Sequence, residues 1–156
     1  MHIENEVKYD FSDVLIKPKR SYYTSRKEVD LERDFKFKWS NLSWKGIPIV
    51  AANMDTVGTI GSAEVLSKHK VLTCLHKFHT ADELLKITSG IKKNVAITIG
   101  VAEGLQILYE LGEQIKDFNF ICIDVANGYT EQFCDFIKQA RSEFENKIII
   151  AGNVCT

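Results

Sequence analysis

Short apolar runs rich in β-branched residues recur along the chain from residue 46 onward. Five such runs begin at residues 47, 71, 95, 120 and 148, so their spacing is nearly regular. They show no polar alternation, which is typical of strands buried on both faces of a parallel sheet. We therefore predict five parallel strands at Ile47–Val50, Val71–Leu75, Val95–Ile99, Phe120–Ile123 and Ile148–Ala151.

Amphipathic segments separate the apolar runs and predict helices. Their apolar residues recur every three or four positions, as on the buried face of a helix. One segment follows Thr80-x-x-Glu83, which has the pattern of a capping box, and the last follows Thr130, a candidate N-cap. The four predicted helical faces are Ile60/Ala63/Leu66, Leu84/Ile87/Ile91, Leu105/Leu108/Leu111/Ile115 and Phe133/Ile137/Ala140/Phe144.

The alternation of strand and helix favours right-handed βαβ units and a parallel sheet. Polar residues gather after the strands, at their carboxyl ends. They are Asn53 to Thr56, His76 and Lys77, Asp124 and Asn127, and Asn153, with Gly100 after the third strand. Polar residues gathered at one edge of a parallel sheet are typical of an α/β fold of the (β/α)8 TIM barrel type. In such a barrel the active site lies on the loops at the carboxyl ends of the strands. No GxGxxG motif follows the first strand, so a dinucleotide-binding doubly wound sheet has no positive signal.

The length of the chain limits how much of such a barrel it can contain. A complete barrel typically needs about 250 residues, whereas the chain has 156 and stops just past the fifth predicted strand. We expect residues 46–156 to form the first part of the barrel, with about five of its strands. Residues 1–45 are predicted to be an amino-terminal extension.

The stretch Phe120–Tyr129 changes from an apolar strand to a polar loop within a few positions. Asp124 and Asn127 lie at the change, and Gly128 follows them. Burying a carboxylate or an amide costs free energy unless it has a partner. At the carboxyl end of a parallel strand the usual partner is a ligand. A helix-capping role for Asp124 and a turn-forming role for Asn127 are the structural alternatives.

The composition fits a globular chain with a hydrophobic core, since 45% of its residues are hydrophobic and 26% are charged. With 20 basic and 21 acidic residues, it has no charge excess to attract nucleic acid or an anionic membrane. No apolar run approaches the roughly 20 residues of a membrane span. The polar start does not resemble a signal peptide, so we expect a cytoplasmic protein.

The cysteines and histidines do not predict a metal centre. The four cysteines lack CxxC spacing, and Cys74 and Cys122 lie inside apolar runs. Buried reduced thiols in the cytoplasm fit this pattern better than disulfides or zinc. His69 and His79 have no partners at metal-ligand spacing, and we predict that both lie at the surface.

The first 45 residues interleave charges with single apolar residues. Two interpretations of basic residues such as Lys17, Lys19 and Arg26 remain open. One is a solvated arm with acidic neighbours. The other is an anion site for phosphate, in which Ser25 adds a hydroxyl to the forked donors of Arg26.

Six motifs, in order, resemble the GMP reductases, which belong to the same superfamily as IMP dehydrogenase. The motifs are DVLIKPKRS (Asp13–Ser21), SRKEVDLER (Ser25–Arg33), AANMDTVGT (Ala51–Thr59), LHKF (Leu75–Phe78), ICIDVANGY (Ile121–Tyr129) and AGNV (Ala151–Val154). The resemblance covers essentially the whole chain, and the AANMDTVGT and DVANG segments favour the reductase. It implies a cytoplasmic, homotetrameric TIM-barrel oxidoreductase of purine salvage, which converts GMP to IMP and ammonia with NADPH.

The resemblance also implies roles for individual residues. Ser25 and Arg26 match positions that meet NADPH across a subunit boundary, and an arginine suits its 2′-phosphate. Lys77 matches a lysine at the cofactor and reaction site, where it would donate a proton to departing ammonia. The other matched positions are Asp124, Val125 and Ala126 at the cofactor and Met54 and Asn153 at the purine, and no metal is implied. By residue type alone, Lys77 would be a surface lysine and Met54 a core residue.

The nucleophile of the family is a cysteine on the loop after the sixth strand, which we expect beyond Thr156. Cys155 and Thr156 match that loop only superficially, because they directly follow the fifth strand, so Cys155 is interpreted as an ordinary cysteine. Val101 stands where some reductases carry threonine, which leaves Thr98 as the candidate hydroxyl there. Two alternatives stay open: an IMP dehydrogenase, and a catalytically incomplete half-barrel that acts only in nucleotide binding or assembly.

Overall fold

The computed structural model of the protein describes residues 5–154. The chain divides into two compact units, Met1–Asp30 and Leu31–Thr156. The described part of the first unit contains two 3-10 turns, Phe11–Asp13 and Arg26–Glu28, and its large apolar side chains are exposed.

A six-stranded sheet forms the framework of the second unit. Its strands are β1 (Arg33–Lys36), β2 (Ser43–Ala51), β3 (Val71–Cys74), β4 (Val95–Ile99), β5 (Phe120–Asp124) and β6 (Ile148–Gly152). They lie side by side in sequence order, with β1 antiparallel to β2 and every later neighbouring pair parallel. The five predicted parallel strands are confirmed as β2 to β6. The antiparallel strand β1 has no counterpart in the prediction.

Helices connect the parallel strands, namely α1 (Ile60–Ser67), α2 (Ala81–Leu85), α3 (Gln106–Glu110) and α4 (Glu131–Glu143). The predicted caps are confirmed. Thr80 and Glu83 exchange both hydrogen bonds of a capping box at α2, and the Thr130 side chain caps α4. The second predicted helix is shorter than expected, because α2 ends at Leu85 and leaves Ile87 and Ile91 outside it. The third predicted helix is also shorter. Gly112 adopts a positive φ of 51°, which glycine tolerates, and a 3-10 turn, Gly112–Asp117, replaces the rest of that helix.

The helices pack against one face of the sheet and form its larger hydrophobic core. Ile97, Ile121 and Ile123 point from the strands into this core and meet residues such as Leu84 of α2 and Leu108 of α3. Because successive strand residues point to opposite faces, the residues between these isoleucines lie on the other face. The central strands β3, β4 and β5 are therefore buried on both sides, as their uninterrupted apolar sequences predict. For β2 and β6 the prediction is wrong, since Ile49 and Val50 of β2 are exposed and β6 is only partly buried.

The hairpin of β1 and β2 covers part of the opposite face, which we call the hairpin face. Its buried residues are Trp44, Leu72, Cys74, Ala96, Phe120, Cys122 and Ile148, with Phe35, Phe37, Leu42 and Ile150 packed against them. Phe120 is central to the aromatic contacts. Its ring centroid lies 5.7 Å from that of Phe37 and 6.1 Å from that of Trp44, both edge to face. Such ring pairs contribute about 0.5–1.5 kcal/mol beyond their buried area.

Trp44 is held by a polar contact as well as by its ring. Its indole Nε1 donates to Asn94 Oδ1 over 2.8 Å, and Asn94 immediately precedes β4. The ring also fills the space beside Gly46, where a Cβ would lie 2.3 Å from it. The hairpin is thus anchored to the amino-terminal ends of β4 and β5.

Two lysines are buried near the amino-terminal ends of the strands. Lys147 donates to the carbonyl oxygens of Ile115 and Phe118, each over 2.6 Å, and burial lowers its pKa below the ordinary value of 10.5. Lys92 lies with its Nζ 3.2 Å from the Asp117 carboxylate. A buried ammonium group needs such partners, so both lysines are explained as structural.

Replacing Phe120 with alanine should lower the free energy of unfolding by about 3–5 kcal/mol, since it leaves a cavity among the hairpin-face aromatics. Phe120 is 1% exposed. Urea unfolding followed by circular dichroism measures the loss. The matched control is Phe78→Ala, at a side chain that is 64% exposed, which should change stability by less than about 0.5 kcal/mol. Equal losses of stability in the two variants would contradict the assignment of Phe120 to the core of the hairpin face.

Candidate active site

The parallel strands β2 to β6 bring their carboxyl ends to one edge of the sheet, called the carboxyl edge below. Met54 follows β2, Lys77 follows β3, Asp124 ends β5 and Asn153 follows β6. These four predicted site residues therefore lie along a single edge rather than on opposite ends of the sheet. Their roles remain predictions.

Backbone pairing between β5 and β6 continues past the strands and shapes the loops of the carboxyl edge. Asp124 is the register partner of Gly152. Beyond this pair, the Val125 N–H donates to the Gly152 carbonyl over 2.9 Å and the Asn153 N–H donates to the Val125 carbonyl over 3.1 Å. The Gly128 N–H donates to the Asn153 carbonyl over 2.9 Å, and a Cβ at Gly128 would lie 2.6 Å from that oxygen. The close approach of the two loops therefore requires glycine at this position.

An open concavity of about 530 Å³ lies at the carboxyl ends of β5 and β6. Asp124, Val125, Ala126 and Asn153 line it, with Cys122 among its other lining residues. Its volume is in the range of small-molecule sites, roughly 300–1,000 Å³. The exposed Asp124 carboxylate can only accept hydrogen bonds, so it suits a ligand that presents hydroxyl or amine donors. The structure thus brings four of the predicted residues together.

Asn127 shapes the turn between β5 and α4. Its Oδ1 accepts a hydrogen bond from the Tyr129 N–H over 3.0 Å, the pattern of an Asx turn. This contact supports the turn-forming interpretation of Asn127. Thr130 follows and caps α4. Local hydrogen bonds therefore determine the path of the backbone from β5 to α4.

Two histidines stack at the carboxyl end of β3. The ring centroids of His76 and His79 are 3.9 Å apart, with an interplanar angle of 15°. His79 Nδ1 lies 3.3 Å from Glu83 Oε2, and only 11% of the His79 side chain is exposed. The prediction of a surface His79 is therefore wrong, and its spacing of one helical turn from Glu83 is the missed signal. Hydrogen bonds from the Thr80 N–H and from His79 hold the pKa of Glu83 below its ordinary value of 4.5.

Lys77 projects from the loop between the two histidines and is exposed. Its Nζ lies 5.7 Å from the ring centroid of Phe78. Lys77 lines a second concavity, of about 310 Å³, between the loops after β3 and β4. Lys77 and Asp124 thus line different concavities on the same edge.

Glu103 is an acidic residue of the second concavity that the sequence analysis did not single out. Its Oε2 lies only 2.3 Å from where a Cβ would stand on Gly100, so the carboxylate fills the space that this glycine leaves. Gln106 and Glu110 line the same concavity as Lys77. A glycine at a strand end followed closely by an acid is the signal that could have identified Glu103.

The loop after β2 is tied to β3 through Gly58. The Met54 carbonyl accepts hydrogen bonds from the N–H groups of Val57 and Gly58, over 2.9 and 2.8 Å. The Gly58 carbonyl in turn accepts from the His76 N–H over 2.8 Å. A Cβ at Gly58 would lie 2.3 Å from the Cys74 carbonyl oxygen. The Met54 side chain is 61% exposed, so core packing does not explain it.

Ser25 and Arg26 belong to the first unit of the chain. The Ser25 Oγ accepts a hydrogen bond from the Lys27 N–H over 3.3 Å and caps the short 3-10 turn, while Arg26 is exposed. Ser25 thus has a local structural role, and phosphate binding by this pair stays a prediction. Cys155 and Thr156 lie outside the described residues.

The IMP dehydrogenase / GMP reductase domain matches residues 8–156. The chain belongs to the IMP dehydrogenase / GMP reductase family. The motif-based resemblance to this superfamily is therefore confirmed.

Curated relatives in this family carry the name GMP reductase. The protein from Klebsiella pneumoniae is 47% identical over 161 aligned residues, which cover 100% of this chain and 46% of that protein. The Buchnera aphidicola protein is 47% identical and an Escherichia coli protein 44% identical, each over 164 residues with the same coverage. The chain spans about half the length of the curated relatives it matches.

A solved structure in the family has a similar fold. The inosine 5′-monophosphate dehydrogenase from Legionella pneumophila matches with a TM-score of 0.72 at 26% identity, covering 94% of this chain and 44% of that one. The α/β fold with a mostly parallel sheet is thus shared with a family member. Within residues 5–154, none of the helices combines the length and the apolar character needed to cross a membrane.

Replacing Gly58 with alanine should cost about 1–3 kcal/mol of stability, because the new Cβ meets a backbone oxygen of β3 that cannot move alone. Thermal unfolding followed by circular dichroism measures the loss. Gly61→Ala in α1 is the matched control. Nothing lies within 4 Å of a Cβ there, and alanine favours a helix over glycine by up to about 1 kcal/mol. A comparable loss of stability at both positions would contradict the conclusion that the close contact with β3 requires glycine at position 58.

Proposed function

We propose that this chain is the amino-terminal part of an NADPH-dependent GMP reductase, an oxidoreductase that converts GMP to IMP and ammonia in purine salvage. The observation that carries the proposal is the 43–47% identity, along the whole chain, with proteins named GMP reductase. The geometry is consistent with it, since the matched site residues of the second unit lie along one carboxyl edge.

We further propose that residues 46–156 form the first part of a (β/α)8 barrel and residues 1–45 an amino-terminal extension. The strand order supports this, because β2 to β6 follow one another without the reversal that characterises a doubly wound sheet. In such a barrel the hairpin face would be the interior, and the β1–β2 hairpin would close its amino-terminal end. A cytoplasmic homotetramer is proposed on the family resemblance.

The proposed NADPH site follows the concavity lined by Asp124, Val125 and Ala126. An exposed carboxylate at the end of a parallel strand is suited to ribose hydroxyls. Pairing of Val125 with the loop after β6 fixes the backbone beside it. Ser25 and Arg26 are proposed to bind the 2′-phosphate, for which a planar guanidinium offers two parallel donors. NADPH supplies the hydride when bound.

The proposed substrate site places the purine of GMP, or of the product IMP, near Met54 and Asn153. Both residues lie on loops of the carboxyl edge, and both are exposed. Lys77 is proposed to give a proton to the ammonia that leaves the purine. An ammonium group on an exposed loop is able to reach a leaving amine and to exchange its proton with water.

The proposal is tested by assaying the complete protein that contains this chain with GMP and NADPH. Loss of NADPH absorbance should be matched by the IMP and ammonia formed. No NADPH oxidation and no IMP would overturn it. The IMP dehydrogenase alternative predicts reduction of NAD⁺ in the presence of IMP, so faster turnover in that direction would favour the dehydrogenase.

Replacing Lys77 with alanine should lower kcat by about 10²- to 10⁴-fold, the usual contribution of a positioned proton donor. The affinity for GMP should change little, because the proton is transferred only in the transition state. Steady-state kinetics with GMP and NADPH measures both. Lys93→Ala, just before β4 at the opposite edge of the sheet, is the matched control and should leave kcat unchanged. Near-normal turnover in Lys77→Ala would contradict the proposal that Lys77 donates this proton, and would support its interpretation as a surface lysine.

Replacing Arg26 with alanine should raise the KM for NADPH by roughly 10- to 100-fold, since hydrogen bonds to charged groups contribute about 1.5–3 kcal/mol. The KM for GMP should rise less, and the preference for NADPH over NADH should shrink. Arg20→Ala, an exposed arginine of the same unit, is the control. An equal effect on both substrates, or none, would remove Arg26 from the phosphate site.

A further inference from the structure

Lys77 has few contacts of its own that could fix the place of its ammonium group. The side chain is exposed, and its Nζ lies 5.7 Å from the centroid of the Phe78 ring. Within residues 5–154, no hydrogen bond or ion pair holds the ammonium group. The strand β3 has already ended at Cys74. The position of Lys77 therefore depends on the loop that carries it.

His76 closes a turn around Lys77. Its backbone N–H donates to the Gly58 carbonyl oxygen over 2.8 Å, which ties the start of this loop to the loop after β2. Its side-chain Nδ1 accepts a hydrogen bond from the Phe78 N–H over 3.3 Å. Lys77 is the residue between the acceptor and the donor, so this bond restricts the backbone on both sides of it. Because Nδ1 accepts, it carries no proton, and the neutral ring holds its proton on Nε2.

The ring of His79 holds the ring of His76 in place. The two rings stack with their centroids 3.9 Å apart and an interplanar angle of 15°. His79 Nδ1 lies 3.3 Å from Glu83 Oε2, and it donates in this contact because a carboxylate only accepts. The same Glu83 oxygen accepts from the Thr80 N–H over 2.9 Å, in the first turn of α2. A continuous series of contacts thus runs from the start of α2 to the turn around Lys77.

The contacts of His79 are not needed to form α2, because Thr80 and Glu83 complete the capping box by themselves. In the part of the chain that the structure describes, the Nε2 of His79 is buried without a hydrogen-bond partner. Burying an unpaired polar atom costs free energy, and an apolar side chain would fill the space without this cost. What His79 adds is a flat ring against which the ring of His76 is oriented.

We propose that His76 is a positioning residue for Lys77, and that His79, held by Glu83, keeps the His76 ring in the orientation that this requires. The inference rests on the proposed function, in which Lys77 gives a proton to the departing ammonia. In this role His76 does not touch the reacting atoms. It fixes the turn from which the Lys77 side chain extends, so fewer orientations of the ammonium group compete with the productive one.

Two substitutions of His76, made in the complete protein that contains this chain, separate the acceptor from the ring. His76→Asn loses the ring but keeps an acceptor, because an asparagine side chain forms the same bond to the N–H two residues later. His76→Phe keeps a flat ring for His79 but has no acceptor.

His76→Phe should lower kcat by roughly 10- to 100-fold, because misplacing a catalytic group by about 1 Å can cost that much. The KM for GMP should change little, since the proton is transferred only in the transition state. His76→Asn should retain most of the kcat. His69→Phe, at an exposed histidine shortly after α1, is the matched control and should leave kcat unchanged.

Near-normal kcat in His76→Phe would overturn the proposal. A loss in His76→Asn as large as that in His76→Phe would also overturn it, since the acceptor would then not be the feature that matters. So would a rise in the KM for GMP that matches the fall in kcat, because it would indicate general disruption of the site.

The role of His79 is tested by its coupling to His76. His79→Leu removes the ring that orients His76 and should lower kcat when His76 is present. In the His76→Asn variant, where no ring needs to be oriented, the same substitution should have no further effect. Independent residues give additive losses and residues in one series of contacts do not, so additive losses would overturn the role of His79.

The turn can also be measured without turnover. Hydrogen exchange of the Phe78 amide, followed by NMR, should be about 2- to 10-fold faster in His76→Phe than in the unaltered protein or His76→Asn, as the loss of one hydrogen bond predicts. If the complete protein does not oxidise NADPH with GMP, the proposed function fails, and this measurement still tests the turn. Equal exchange in the three proteins would overturn the inference.

Discussion

Parallel hydrogen bonding between neighbouring strands is the constraint on which the rest of the structure depends. Each strand from β2 to β6 returns to the same end of the sheet, so every loop that follows a strand reaches the carboxyl edge. Between β5 and β6 the pairing extends into the loops, which fixes Val125 and Asn153 through their backbones. Backbone hydrogen bonding thus determines where the residues of the candidate site lie along the carboxyl edge. The identity of each side chain then determines the chemistry that is available there.

Much of this framework could be predicted from the sequence because its signals are local. Apolar runs gave the five parallel strands, and the hydroxyls of Thr80 and Thr130 gave the starts of two helices. The strand β1 carries mostly charged residues, and its one apolar side chain, Phe35, matters only because it stacks on Trp44. A strand stabilised by such a distant contact has no local pattern to reveal it.

The side-chain arrangement at the carboxyl edge could be predicted less well than the residues that occupy it. The motif match predicted Lys77 and Asp124 as site residues, but their separation into two concavities depends on which way each loop turns. The stack of His76 on His79 depends on side-chain direction within a short loop.

The anchoring of the hairpin by Trp44 has a consequence for how the protein is made. Its hydrogen-bond partner, Asn94, is 50 residues away in sequence, and Phe120 is farther still. During synthesis the β1–β2 hairpin leaves the ribosome well before β4 and β5, the strands against which its aromatic residues pack. Contacts of such long sequence separation form slowly, because a long loop must close first. A nascent chain of this protein therefore carries unsheltered aromatic surface while the residues between Trp44 and Phe120 are being made, which is the kind of surface that chaperones bind.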